Sequence, residues 1–305
     1  MNTLTFFIAL PAVALLGVFG SFSSALNGMV GKRLGTFQAT AVFLGVGAIL
    51  CVPIIAFFER GSIAVIAGGI EWYLYLPGLI NIFFIANLIF VVNRIGTMLM
   101  TSAMFCGQVV VSIALDHIGF LGLPQITASP LRWLSAAVLV AGILIAAGRP
   151  AAAGVARRGA FGDLRGVAIM MAFTQGAALA VVSGLNAVLG LTTGTFTSTF
   201  FFLAPGAIFL VAWFGLARVR LNTAQWQWRF TIPGALNVIG IAGAVILVPF
   251  VGLQFTTAAR VTASVLAGLY IDRQGLFGIP SQAVSSQRIV GTVVLSVGVL
   301  MTVLA

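Results

Sequence analysis

Charged residues are scarce here. Only 7% of the 305 residues are Asp, Glu, Lys or Arg, against roughly 25% in an average soluble protein. Acids are rarest, at five against fifteen Lys and Arg. That excludes an ordinary water-soluble domain and a disordered tail, which need charge to stay solvated. One histidine is present, so no histidine cluster can hold a metal. The two cysteines, Cys51 and Cys106, lie in apolar stretches without motif spacing. They are expected to pack as free thiols, not to form a disulfide. Walker A, HExxH, CxxC and GxSxG patterns are all missing. ATP-driven pumping by this chain and hydrolytic chemistry are therefore not expected, nor is any cofactor or metal.

What is present is apolar surface, with 61% of residues hydrophobic. A bilayer-spanning helix needs about 20 apolar residues, so ten need roughly 200. Ten spans can be read, at about 4–27, 36–58, 72–93, 96–115, 131–148, 164–190, 195–217, 230–249, 253–271 and 288–304. The run Leu4–Leu26 lacks the basic leader and small-residue cleavage site of a signal peptide and is expected to remain as the first span. The 36 glycines suit close helix packing in lipid. Trp72, Tyr73, Tyr75, Trp133, Trp226 and Trp228 fall near span ends, as an interfacial aromatic belt requires.

The two halves repeat each other. Ser24-Ala25-Leu26-Asn27, Gly31 and Gly35-Thr36-Phe37 recur 159 residues on as Ser183-Gly184-Leu185-Asn186, Gly190 and Gly194-Thr195-Phe196. Trp72, Pro77, Gly78, Asn81, Gly96, Asp116, Gly119, Gly122, Pro124 and Arg132 recur 156 residues on as Trp228, Pro233, Gly234, Asn237, Gly252, Asp272, Gly275, Gly278, Pro280 and Arg288. Two ungapped registers of this length mark a duplication. The expected domains are a first five-helix repeat over 1–150, a connecting loop over 151–165 and a second repeat over 166–305. Five is odd, so the second copy must enter the bilayer in the opposite sense, as in transporter folds with a midplane site. The fold expected is an all-α integral membrane protein of ten transmembrane helices in two inverted-topology five-helix repeats.

Charge placement fits. With the N-terminus outside, twelve Lys and Arg fall in inside connections and only Arg60 and Arg132 outside. By the positive-inside rule both termini face outside. The net charge of +10 thus reads as a topogenic signal. Nucleic acid is not an expected partner; the lipid bilayer is.

The pattern Leu-Asn…Gly…Gly-Thr, then Gly107-Gln108 and the segment Asp116-His117-Ile118-Gly119-Phe120-Leu121-Gly122-Leu123-Pro124, resembles the YdcZ-type branch of the drug/metabolite transporter superfamily. The resemblance implies a carrier of fused five-helix repeats whose central cavity is lined by the first four helices of each, in a bacterial cytoplasmic (inner) membrane. Gly107-Gln108 becomes Ala263-Ser264 in the second half, so the cavity should be chemically asymmetric.

Arg260 stands mid-span, where its repeat equivalent is Met104. A mid-membrane Arg costs about 2.5–3.5 kcal/mol on insertion scales and marks a functional position by default. It is a candidate anchor for an anion or carboxylate, against a structural role on helix-end carbonyls. Asn27 and Asn186, with Ser24 and Ser183 one turn earlier, could offer polar groups where nearby glycines fray a helix end; the plainer reading is an interhelical hydrogen bond. Gln108 and Gln254 are further substrate-binding candidates; Asn81, Asn87 and Gln175 are weaker, and Asn237 reads as structural. Asp116, Gly119 and Pro124, with Asp272, Gly275 and Pro280, are expected to build structural turns, the carboxylates accepting backbone N–H bonds. His117 reads as a plain loop residue. No carboxylate is expected deep in the membrane, where many cation-coupled carriers need one.

These features point to a secondary transporter of a small polar metabolite, anionic or zwitterionic, working by alternating access as a monomer or homodimer. The rival readings are an exporter of cationic or hydrophobic drug-like compounds and a non-transporting membrane scaffold.

Overall fold

The computed structural model describes residues 3–62, 69, 71–127, 129–147, 164–219, 226–278 and 286–304. Most of the connecting loop, Pro280 and the end of the second turn lie outside these. Among the described residues there are nine α-helices and no strand. They are α1 (Thr3–Leu34), α2 (Thr36–Phe58), α3 (Leu76–Ile118), α4 (Pro130–Ala147), α5 (Leu164–Thr193), α6 (Thr195–Leu216), α7 (Ile232–Val251), α8 (Leu253–Gln274) and α9 (Ser286–Leu304).

Where the sequence suggests spans at 72–93 and 96–115, α-helical hydrogen bonding runs unbroken through α3. Forty-three residues would make a straight rod of about 64 Å. α3 cannot be straight. Gln175 donates to the Phe84 carbonyl at 3.4 Å, and its neighbour Gly176 lies against the Met104 carbonyl. In a rod, residues 84 and 104 would stand about 30 Å apart. Val91 and Ala103 likewise share one cluster with Ala168 and Ala172. α3 therefore bends sharply between Phe84 and Met104, an interval containing Gly96, and both of its limbs contact α5.

Three helix pairs meet at a single glycine. Gly35, Gly194 and Gly252 join α1 to α2, α5 to α6 and α7 to α8, with φ of 92°, 103° and 83° and ψ of 151°, 155° and 164°. That corner of backbone space is open essentially only to glycine. The Asp-x-x-Gly turns are also built alike. Gly119 and Gly275 take left-handed φ of 63°, and matched Leu121 and Phe277 take φ of 50° and 58°.

The principal helix pairings join the two copies: α3 with α5, α4 with α9, α1 with α7 and α8, and α2 with α6. The contacts are reciprocal. Gly17 on α1 lies against the Arg260 carbonyl, and Gly176 on α5 against that of Met104; both residues of one contact are the repeat equivalents of the other. A Cβ on Gly47 would meet Leu203 at 2.7 Å, and one on Gly206 would meet Leu44 at 2.9 Å. Gly142 faces Leu295 as Gly298 faces Leu139. Small residues let backbones touch, the packing mode expected in lipid.

Five helical segments are long and apolar enough to cross a membrane: Ala9–Gly31, Phe37–Phe58, Gly166–Thr193, Thr195–Leu216 and Trp228–Val251. Ala103–Ile118, Pro130–Ile145 and Ile289–Thr302 are shorter apolar helices. Large hydrophobic side chains such as Phe58, Ile208 and Leu216 lie outward, as lipid contact allows. Trp72, Trp133, Trp226 and Trp228 are exposed, in keeping with an aromatic belt. Cys51 and Cys106 are free and buried. This is an all-helical architecture of the integral membrane type.

Candidate functional site

The most polar helix is the most enclosed. α8 carries Gln254, Thr256, Thr257, Arg260, Thr262 and Ser264, yet every residue from Val251 to Ala259 is buried. Its apolar side enters the central cluster through Phe255, Ala258, Ala259 and Val261, with Val13, Val109, Ile113, Leu139 and Leu295. Polar groups in such a place demand partners, and Gln254, Thr256 and Ser264 have them. Thr256 Oγ1 donates to the Gly252 carbonyl at 2.8 Å. Ser264 Oγ donates to the Gly17 carbonyl at 2.9 Å, and Ser21 Oγ returns a bond to the Ser264 carbonyl at 2.8 Å.

Thr257, Thr262 and Arg260 have no hydrogen-bond partner among the described residues, and of these only Arg260 carries a charge. Its flanking residues Ala259 and Val261 are each 3% exposed, while Arg260 is half-buried. Among the described residues its guanidinium makes no hydrogen bond and no ion pair. Five N–H donors and a full charge stand without an acceptor. The structural reading of Arg260, as a prop for helix-end carbonyls, has no bond to support it.

Other orphaned polar atoms lie on α8 itself and on neighbouring helices. Gln254 Oε1 and Thr262 Oγ1 on α8, Gln108 Oε1 on α3 and Asn186 Oδ1 on α5 are buried without a partner among the described residues. Gln108 lies one turn beyond Met104, the position matching Arg260. Asn27 is half-buried and Ser24 exposed. No hydrogen bond among the described residues joins Arg260, Gln108, Asn27 and Asn186 to one another. The frayed ends expected near the asparagines are absent. α1 is helical to Leu34 and α5 to Thr193, with Gly184 packed on Phe120 and Gly190 on Val245. Ser183 Oγ is taken up by its own helix, donating to the Leu179 carbonyl at 2.8 Å. Asn81 Nδ2 reaches the Phe202 carbonyl at 3.4 Å, tying α3 to α6. Asn87's side chain falls outside the described set.

Gln254, read as a substrate candidate, belongs to a structural cluster. Its amide nitrogen donates to Ser135 Oγ at 3.1 Å and the Arg132 carbonyl at 3.4 Å. The same cluster corrects the role of Asp116. Its backbone carbonyl builds the turn, accepting from Gly119 N–H at 3.3 Å and Ile126 N–H at 2.8 Å. Its carboxylate does not. It crosses to the other copy and accepts the N–H groups of Leu253 and Gln254 at 2.7 and 2.8 Å, the free donors at the start of α8. Arg132 Nη2 stands 3.8 Å from it. Gln254→Ala should lower the melting temperature by removing the amide bonds to Ser135 Oγ and the Arg132 carbonyl, which keep each other and Thr302 as partners, at about 1 kcal/mol. Ligand affinity should not change, and a binding titration checks that.

A second carboxylate does the same work and was not visible in the sequence. Glu59, just after α2, accepts Phe196 N–H at 2.9 Å, Thr197 N–H at 2.8 Å and Thr197 Oγ1 at 2.8 Å. It holds the start of α6 as Asp116 holds the start of α8. Gly194 and Gly252 let the carboxylates in, since a Cβ would stand 2.5 Å from the Glu59 carboxyl carbon and 2.9 Å from Asp116 Oδ2. The repeated Gly-Thr was the only local signal. Asp272's side chain lies outside the described set.

A bundle of apolar helices that encloses polar side chains on α3, α5 and α8 defines a helical membrane protein. The chain belongs to the YdcZ family, described as "Putative inner membrane exporter, YdcZ", which it matches over residues 8–145 and 167–301, the two repeats. It is thus a member of a family of inner-membrane exporters. No curated protein matches it. It is similar to a solved structure described as "Crystal structure of protein", at 14% identity and a TM-score of 0.71, over 100% of this chain and 98% of that one. At that identity the likeness is one of fold.

Proposed function

We propose that the protein is a ten-span secondary carrier whose two copies cross the inner membrane in opposite senses, and that it exports a small anionic or zwitterionic solute by alternating access. The observation that carries the solute class is Arg260, charged, mid-helix, half-buried and without a hydrogen bond or ion pair among the described residues. An unpaired charge held in an apolar interior is expensive, and a solute carboxylate or phosphate would offset that cost with bidentate hydrogen bonds.

The opposed topology is supported by which ends meet. Counting the limbs of α3 separately gives ten segments. Glu59, between α2 and α3, touches the start of α6, and Asp116, between α3 and α4, touches the start of α8. Connections that meet share a membrane face. If spans alternate, a copy inserted in the same sense would put the α5–α6 connection opposite Glu59. The charge distribution then sets that shared face outside, along with both termini.

The test of solute class is thermal. Purified protein is melted with panels of small anions, zwitterions, cations and neutral metabolites. A ligand at 100 times its Kd stabilises by about 2.7 kcal/mol, so an anion or zwitterion should raise the melting temperature. Stabilisation by cations alone would overturn the solute class.

A further inference from the structure

The two copies differ at one matched place. On α1, Gly17, Gly20 and Ser21 form the face that meets α8. Ser24 and Gly28 continue that face one and two turns on, at helical spacing. Both are exposed, and a Cβ on Gly28 would meet nothing within 4 Å. Across from them, Gly268 on α8 is half-buried, and a Cβ there would also meet nothing within 4 Å. The two helices therefore leave a gap beside Gly28 and Gly268, on the cytoplasmic side of the proposed topology, while Phe22 stays edge-to-face with Phe277 in the turn after α8. In the second copy the same stretch is shut. Ala187, the equivalent of Gly28, is fully buried with Ala180, Leu115, Leu123, Val248 and Leu253, and Phe120 closes over Gly184. That shut end is also where Glu59 and Asp116 bind the starts of α6 and α8.

We propose that Glu59 and Asp116 are the two latches of an outer gate, shut in this conformation, and that the open route to Arg260 is the crevice between α1 and α8 past Ser24 and Gly28. This rests on the carrier reading. Each latch is supplied by one copy and caught by the other, so releasing it lets the copies move apart at that end. The residues are positioning groups and do not touch the solute. When the gate opens, the freed N–H groups and carboxylates pass to water, which can satisfy them. Repeat symmetry then places the seal at the other end, where Gly28 lies.

The experiment is thiol labelling in native membranes, which needs no known solute. A maleimide reacts with a thiolate in water and not with a thiol buried in protein or facing lipid. The native cysteines are buried. Gly28→Cys should label quickly and Ala187→Cys slowly, with a ratio of about tenfold or more. Adding Glu59→Gln and Asp116→Asn weakens charged hydrogen bonds, each worth about tenfold in an equilibrium. Ala187→Cys should then speed up while Gly28→Cys slows. Equal rates without the latch changes, or a silent Gly28→Cys, would overturn the crevice. Faster labelling at both sites on latch removal means a loosened fold, and unchanged rates mean no gate; either overturns the latches. If the double change does not fold, Glu59→Gln alone, which keeps Asp116 and Arg132 together, must shift the rates in the same directions. A preserved labelling pattern with no solute flux would sink the carrier reading alone.

Discussion

Arg260→Met is expected to make the empty protein more stable and unable to bind its solute. Methionine stands at the matching position of the other copy, as Met104, so the fold accepts it there. The arginine it replaces has no partner among the described residues. A partnerless mid-membrane charge costs about 2.5–3.5 kcal/mol on insertion scales, and removing it should recover part of that as a higher melting temperature. The same change deletes the charged half of a buried pair in the loaded state. Truncating one partner of such a pair typically costs about 2–5 kcal/mol of binding, or about 30-fold to several thousandfold in affinity. The two effects have opposite signs. A structural arginine would lower stability and affinity together. Melting curves of both forms, empty and with the stabilising anion, separate the cases.

Gly176→Val should have the largest effect on folding. A Cβ there would run into the Met104 carbonyl, which is backbone and cannot swing aside. α5 packs along α3 on both sides of this contact, through Phe84 and Val91 as well as Ala103, so it cannot retreat without losing those contacts. Overpacking a tight contact costs about 1–3 kcal/mol and sometimes more; this one should reach the upper end or prevent assembly. Gly17→Val, its mirror against the Arg260 carbonyl, should behave alike and displace Arg260 as well. Gly28→Ala is the control. With open space around it, the added methyl should raise helix stability by about 0.5–1 kcal/mol. Monodispersity and melting temperature of the three variants decide the matter.

Much of the fold was legible because membrane spans are written locally. Length, apolarity and the two repeat registers are properties of neighbouring residues. The glycine corners at Gly35 and Gly194 showed as a repeated Gly-Thr, although only the backbone revealed why glycine was required. The Asp116 carboxylate accepts backbone N–H bonds as expected, but from α8 and not from its own turn. Its partners at Leu253 and Gln254 lie 137 and 138 residues away, and nothing local announces them. Glu59 was passed over for the same reason. The bonds that Gln254 and Ser183 make, to Ser135 and to the Leu179 carbonyl, are not announced by an apolar run. Arg260 was visible as a charge in a span. Its lack of a partner is a three-dimensional fact.

Solute counterflow in proteoliposomes tests the central claim most directly. Vesicles containing the purified protein are loaded with the anion or zwitterion that raises its melting temperature and then exposed to a labelled trace outside. A carrier anchored by Arg260 should accumulate label saturably with the native protein and not with Arg260→Met at the same solute concentration. Equal accumulation by both proteins would contradict it.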